Sequence, residues 1–162
     1  LKEKMKKQKK IFYKLLKLHL IKKKTKFSAR GIKFFIYMTD VSSRNGALGV
    51  MPYSHHIVKS LTNLILQEKI PLKLFWGIEN LKEFVLNPKV EPLVRGDVGD
   101  KLFEEFLKNL KLFSGENDTL EFDQVMNKGG AVLFDELCVH RGSQPSKNSR
   151  IVLRFLFKRK LQ

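Results

Sequence analysis

The sequence holds one cysteine, Cys138, so no disulfide can close within it, and a reducing compartment is the natural setting. It contains no apolar run near the roughly 20 residues that cross a bilayer as a helix. The basic N-terminal stretch is broken by lysines, which makes it a poor signal peptide. Arginine is scarce, 7 against 25 lysines, and arginine clusters are the stronger mark of nucleic-acid recognition. Acidic residues are outnumbered 16 to 32, for a net charge of +16, but the excess is local. Residues 1–26 carry twelve Lys and one Glu; taking their +11 from +16 leaves +5 for the other 136 residues. These absences predict a soluble, cytoplasmic protein whose cationic character belongs to one arm.

What is present fits a folded domain: 162 residues, 43% hydrophobic, with 13 Phe. In residues 1–26, Ile11, Phe12, Leu15, Leu16 and His19 recur at helical spacing between lysines, predicting a solvated basic helix. Contact of this arm with nucleic acid or an anionic surface is the functional alternative. Residues 31–41 (GIKFFIYMTDV) read as a buried strand, Asn45-Gly46 as a turn, and ALGVMPYSHH as a second extended segment. On a strand, His55 and His56 would point to opposite faces. Residues 57–70 and 100–113 read as helices, with Leu102, Phe103, Phe106, Leu107 and Leu110 on one face of the second. Glu104 stands four residues before Lys108, at ion-pair spacing. Pro71, Pro88 and Pro92 punctuate a looser middle. Asn127 to Gly130 is a turn, after which two strands finish the chain. Strands at both ends with helices between them predict a mainly β fold, a sandwich or jelly roll with a helical insertion at about 57–128.

The last of these strands raise a chemical question. VLFDELCVH ends on His140, RGSQPSKNS follows, and Arg150 opens IVLRFLF. If 141–149 is a hairpin loop, His140 and Arg150 face each other on paired strands. Ile151, Leu153, Phe155 and Phe157 then form one apolar face, packed on other elements, while Arg150, Val152 and Arg154 form the other. Two arginines beside a histidine, with no carboxylate in sight, suit an anionic ligand. Spacing alone favours the plainer reading, in which His140 is a strand-end polar residue and the arginines are surface charges on an exposed sheet face.

Two blocks carry a family resemblance. Residues 33–56, KFFIYMTDVSSRNGALGVMPYSHH, resemble the segment of the phytanoyl-CoA dioxygenase family that runs strand, D-V, x-x-x-N-G, x-L-x-V-x-P-G-S-H. Residues 129–157, GGAVLFDELCVHRGSQPSKNSRIVLRFLF, resemble that family's C-terminal block, which places a His-x-Gly before a polar loop and an arginine after it. The resemblance implies a double-stranded β-helix, the cupin-like jelly roll, in a dioxygenase that uses Fe(II) and 2-oxoglutarate on a small organic or lipid-derived substrate. It implies that His140 is an iron ligand and that Arg150 grips the far carboxylate of 2-oxoglutarate, with Arg154 a second candidate. Residues 27–162 would then be an incomplete jelly-roll domain following the basic arm.

The sequence departs from the family in its metal motif. Such iron sites take two histidines and one carboxylate, and the family draws the first histidine and the carboxylate from a His-x-Asp ahead of residue 31. No His-x-Asp or His-x-Glu occurs here; the candidate upstream is His19, followed by Leu20 and Ile21. The chain is accordingly a fragment, a degenerate non-catalytic relative, or a halogenase-like variant without the carboxylate, and Ile21 argues against the last. The family's Pro-Gly-Ser-His reads Pro52-Tyr53-Ser54-His55, with a bulky ring where glycine's freedom is used. Asp40, Asp135 and Cys138 are weaker ligand candidates. A non-enzymatic reading also stands, a jelly-roll binding protein with a basic arm.

Overall fold

The computed structural model describes residues 31–43, 45–72, 77–113, 121–143, 145 and 149–158. The basic arm of residues 1–26, and His19 with it, lies outside the described residues.

Six strands form two three-stranded antiparallel sheets. The larger sheet runs β4 (Ala131–Asp135), β1 (Gly31–Tyr37), β6 (Val152–Lys158), with β1 at its centre. The smaller runs β3 (Asp123–Gln124), β2 (Leu48–Val50), β5 (His140–Gly142). The chain passes from the larger to the smaller sheet after β1, returns at β4, crosses again at β5 and returns at β6. Four helices stand between β2 and β3: α1 (Ser54–Leu66), α2 (Ile78–Val85), α3 (Glu91–Val98) and α4 (Asp100–Phe113). Two antiparallel sheets with helices inserted between β2 and β3 match the predicted order of elements. Among the described residues, however, helix exceeds strand, against the expected mainly β balance, because the middle of the chain is more helical than its prolines suggest.

Alternation sorts the larger sheet into two faces. Lys33, Phe35 and Tyr37 of β1 point toward the smaller sheet, in register with Phe134 and Val132 of β4 and with Leu156, Arg154 and Val152 of β6. There Tyr37, Val41, Leu48, Phe134 and Cys138 make a core between the sheets, and Phe35 meets Phe134 edge-to-face at 5.4 Å. On the other face Ile32, Phe34 and Ile36 align with Leu133, Leu153, Phe155 and Phe157. The expected packing of that apolar face on other elements is not found: Leu133 is 64% and Phe157 57% exposed, and nothing among the described residues covers them. The helices gather elsewhere, packing Ile57, Leu61, Val94, Phe103 and Leu110 with Met51 and Phe122 beside the smaller sheet.

The predicted helix over 100–113 is α4, with Phe103, Phe106, Leu110 and Phe113 buried and Leu102 and Leu107 at the margin. Glu104 turns to Arg95 of α3 at 2.7 Å rather than along its own helix. Arg95 also meets Glu91 and Asp100, and its guanidinium lies 4.3 Å from the Phe103 ring centroid. The expected loose middle holds two helices: α2, and α3, whose first turn carries Pro92. Pro at a helix start has no bond to lose, so it opens α3 instead of breaking the chain. The predicted 57–70 helix begins three residues earlier, at Ser54, and ends at Leu66. His55 and His56 are therefore helical, their rings 4.0 Å apart, and not on opposite faces of a strand. Ser54, buried at the start of α1, donates to the Met51 carbonyl and accepts from the Val139 amide, both at 2.8 Å, tying the helix start to the chain ahead of β5.

Tyr53, just ahead of α1, adopts φ 59°, the left-handed conformation that disfavours a Cβ. Its ring is 57% exposed and loses little packing if removed. Tyr53→Gly is expected to raise stability by about 0.5–1 kcal/mol, strain relief outweighing the added freedom of the unfolded chain. Equilibrium unfolding in urea checks this; a lowered midpoint would show that the ring, not the strain, dominates.

Candidate functional site

The predicted continuous strand ending at His140 breaks after Asp135. The Asp135 side chain accepts from the Leu137 amide at 2.9 Å and its carbonyl from the Cys138 amide, also at 2.9 Å, turning the chain out of the larger sheet. β5 then pairs with β2, and β6 with β1. His140 and Arg150 are thus not opposite each other on a hairpin, because strands leaving one turn in different sheets cannot pair. They meet all the same, across the gap between the sheets.

A cavity of about 510 Å³ opens there, lined by His140 and Gly142 of β5, Leu48 of β2, Lys33 and Phe35 of β1, and Arg150, Val152 and Arg154 on or beside β6. Among the described residues, none that lines it is acidic. Arg150 reaches across to the Asn45-Gly46 turn, where its Nη1 donates to the Gly46 carbonyl at 2.7 Å. Gly46 has φ 82°, and a Cβ built on it would lie 3.0 Å from Arg150 Cδ. The turn glycine is needed for its backbone conformation and for room. A Cβ on Gly142 would likewise stand 3.6 Å from Arg150 Nη1, so the guanidinium lies against β5 as well.

His140 is open to solvent on one side, while its ring packs 5.3 Å from the Phe134 ring centroid. Its Nδ1 lies 2.7 Å from the Cys138 carbonyl, which can only accept, so Nδ1 carries the proton and Nε2 the lone pair. Lys33 Nζ donates to that Nε2 at 3.1 Å. Partial burial, and then the lysine charge, hold the imidazole below its ordinary pKa, against the carbonyl bond that favours the protonated form. Tyr37, fully buried at the floor of this region, has its pKa raised by burial and opposed by the charge of Arg150.

The weaker candidates have other duties. Cys138 turns from His140 toward His55, with Sγ to Nδ1 at 3.7 Å, and burial pushes its thiol up, away from the thiolate a metal needs. Asp40 accepts from the Lys128 amide at 2.6 Å and Asp135 serves its own turn. Arg154 lines the cavity as expected. Lys33 was not anticipated. Its position in GIKFFIY was the signal: it shares a strand face with Phe35 and Tyr37.

The profile of phytanoyl-CoA dioxygenase (PhyH) matches residues 17–152. The chain belongs to the phytanoyl-CoA dioxygenase family. Neither a curated protein nor a solved structure matches it. The family is one of cupin-like jelly rolls and of oxygenases that depend on Fe(II) and 2-oxoglutarate. The matched span includes His19. No helix among the described residues is long and apolar enough to cross a membrane.

The two groups that phytanoyl-CoA dioxygenase chemistry requires fit this cavity unequally. 2-Oxoglutarate, a dianion, fits an acid-free cavity lined by Lys33, Arg150 and Arg154. Iron does not fit the described residues. They hold no group of three His, Cys, Asp or Glu able to bind a metal, and an ammonium stands where an ion on Nε2 would be.

Two outcomes are expected. Gly46→Ala should lower stability by about 1–2 kcal/mol, through left-handed strain and contact with Arg150, as read by urea unfolding. Because the folded-state pKa of His140 is depressed, its contribution is complete above about pH 6.5 and is lost as pH falls through the lower folded value. The thermal midpoint of the metal-free protein should therefore drop more steeply on acidification than that of His140→Gln; parallel curves would contradict this.

Proposed function

We propose that the cavity is the 2-oxoglutarate pocket of an Fe(II)- and 2-oxoglutarate-dependent dioxygenase of the phytanoyl-CoA dioxygenase type, a hydroxylase of small organic or lipid-derived substrates. Arg150 anchors the far carboxylate, because a planar guanidinium matches a carboxylate with two parallel hydrogen bonds. Arg154 supplies further positive charge, and His140, its lone pair on Nε2, is one iron ligand. The observation that carries this reading is that His140 and Arg150, on or beside strands of different sheets, line one cavity whose described lining holds no carboxylate. The alternation of the chain between two antiparallel sheets supports a double-stranded β-helix over residues 27–162, following a basic arm at 1–26. A reducing, cytoplasmic setting suits Fe(II) and a lone buried thiol.

The described residues offer iron one ligand, so the hydroxylase assignment leans on the family and the cosubstrate assignment on geometry. One observation favours a second reading, a non-catalytic jelly-roll binding protein: the Lys33 ammonium on His140 Nε2. Contact with nucleic acid or an anionic surface through residues 1–26 belongs to that reading, and would weaken steeply with salt.

Calorimetric titration with 2-oxoglutarate tests the pocket. Arg150→Ala should bind at least about tenfold more weakly, the loss of one charge-assisted pair. Equal binding by wild type and variant, or none by either, would sink the assignment.

A further inference from the structure

Lys33 stands where an oxygenase of this kind keeps its metal. The residue belongs to β1, in register with Phe134 and Leu156 on the face turned to the cavity. Its Nζ lies 5.9 Å from the Phe134 ring centroid and 3.1 Å from His140 Nε2. The other imidazole nitrogen is committed to the Cys138 carbonyl at 2.7 Å, so Nε2 is the atom left for a metal, and it already accepts from an ammonium. An ion on Nε2 would be in contact with the lysine charge, and no carboxylate among the described residues lining the cavity offsets the repulsion.

Two cations lining one cavity suit a ligand charged at both ends. His140 and Gly142 share one side of β5, their Cα atoms about 6–7 Å apart along the strand. Lys33 lies against the first through His140 Nε2, and Arg150 against the second, its Nη1 lying 3.6 Å from a Cβ built on Gly142. A short dicarboxylate in the cavity would place one end on the ammonium and the other on the guanidinium. In a metal-dependent site the keto oxygen of 2-oxoglutarate helps chelate the ion; between two side-chain cations the keto group has no such partner.

We propose that Lys33 takes the place of the metal, so that the pocket binds short dicarboxylates, 2-oxoglutarate among them, without any metal ion. The inference rests on the pocket and the Arg150 anchor assigned above, replaces the iron-ligand role of His140 with its bond to Lys33, and names a second anchor and a wider ligand class.

Calorimetry on the full chain in EDTA, with 2-oxoglutarate and with glutarate, which lacks the keto group, tests it. Mn(II) replaces EDTA in a parallel series. Wild type should bind both acids in EDTA within about threefold of each other, and Mn(II) should add nothing. Lys33→Met should weaken both by about tenfold, and Lys33→Arg should restore most of the loss by keeping the charge. Circular dichroism confirms that the variants fold. Binding that requires Mn(II), glutarate binding more than about tenfold weaker than 2-oxoglutarate, or an undiminished Lys33→Met would each overturn the proposal. The two assignments fail separately. Loss in Arg150→Ala without loss in Lys33→Met removes only the lysine's role, whereas no loss in either removes the pocket itself.

Discussion

Among the hydrogen bonds that join the two regions resembling the family, the one from the Arg150 guanidinium to the carbonyl of Gly46 sets the cavity's cation. Arg150 lies where the chain enters β6 of the larger sheet; Gly46 lies where it enters β2 of the smaller. The bond closes the space between the sheets at that end and fixes where the guanidinium can point. Asn45-Gly46 matters here for its exposed carbonyl and its missing side chain more than for its turn. Whatever anion the cavity takes meets an arginine already held in place, so little freedom is lost on binding.

The cavity is shaped by crossings of the chain as much as by strands. Each passage between sheets leaves polar residues at the rim. Asp135 makes one crossing, Ser54 ties the start of α1 to the end of that crossing through the Val139 amide, and Arg141 reaches to the Phe113 carbonyl at 3.0 Å and Asp123 at 3.4 Å. The helical layer is thus connected to the strand that carries His140, and its packing has a route to the site.

Much of this was legible in the sequence where the signal was local. The α4 helix has a full apolar face and no competing reading, and its limits were found to the residue. The N-G turn also follows from residue type and order. What failed depended on distance. That His140 and Arg150 belong to different sheets follows from which strands β1 and β2 accept as partners, and no window around residues 132–157 contains that information. The apolar alternation of β6 gave the correct facing of its side chains but the wrong burial, since a pattern cannot say whether anything lies opposite. The helices at 78–85 and 91–98 were hidden by prolines, which read as breaks until one is seen to start α3. Lys33 was passed over because one charge in an apolar strand looks incidental until its partner is known.

The pairing of the larger sheet also fixes an order of events during synthesis. β1 sits between β4 and β6, and its contacts are with residues emerging much later; Gly31 and Glu136, bonded at 3.1 Å, are 105 positions apart. The helices pack largely on one another, through residues close in the chain. As the polypeptide leaves the ribosome, the helical unit can settle first, while the Phe-rich first strand waits for partners made near the end. During that interval GIKFFIY is an unpaired, apolar, strand-forming segment, the kind that chaperones hold, and Lys33 is the one charge within it. The residue that lines the cavity in the finished protein also sets a charge within an aggregation-prone stretch before that protein exists.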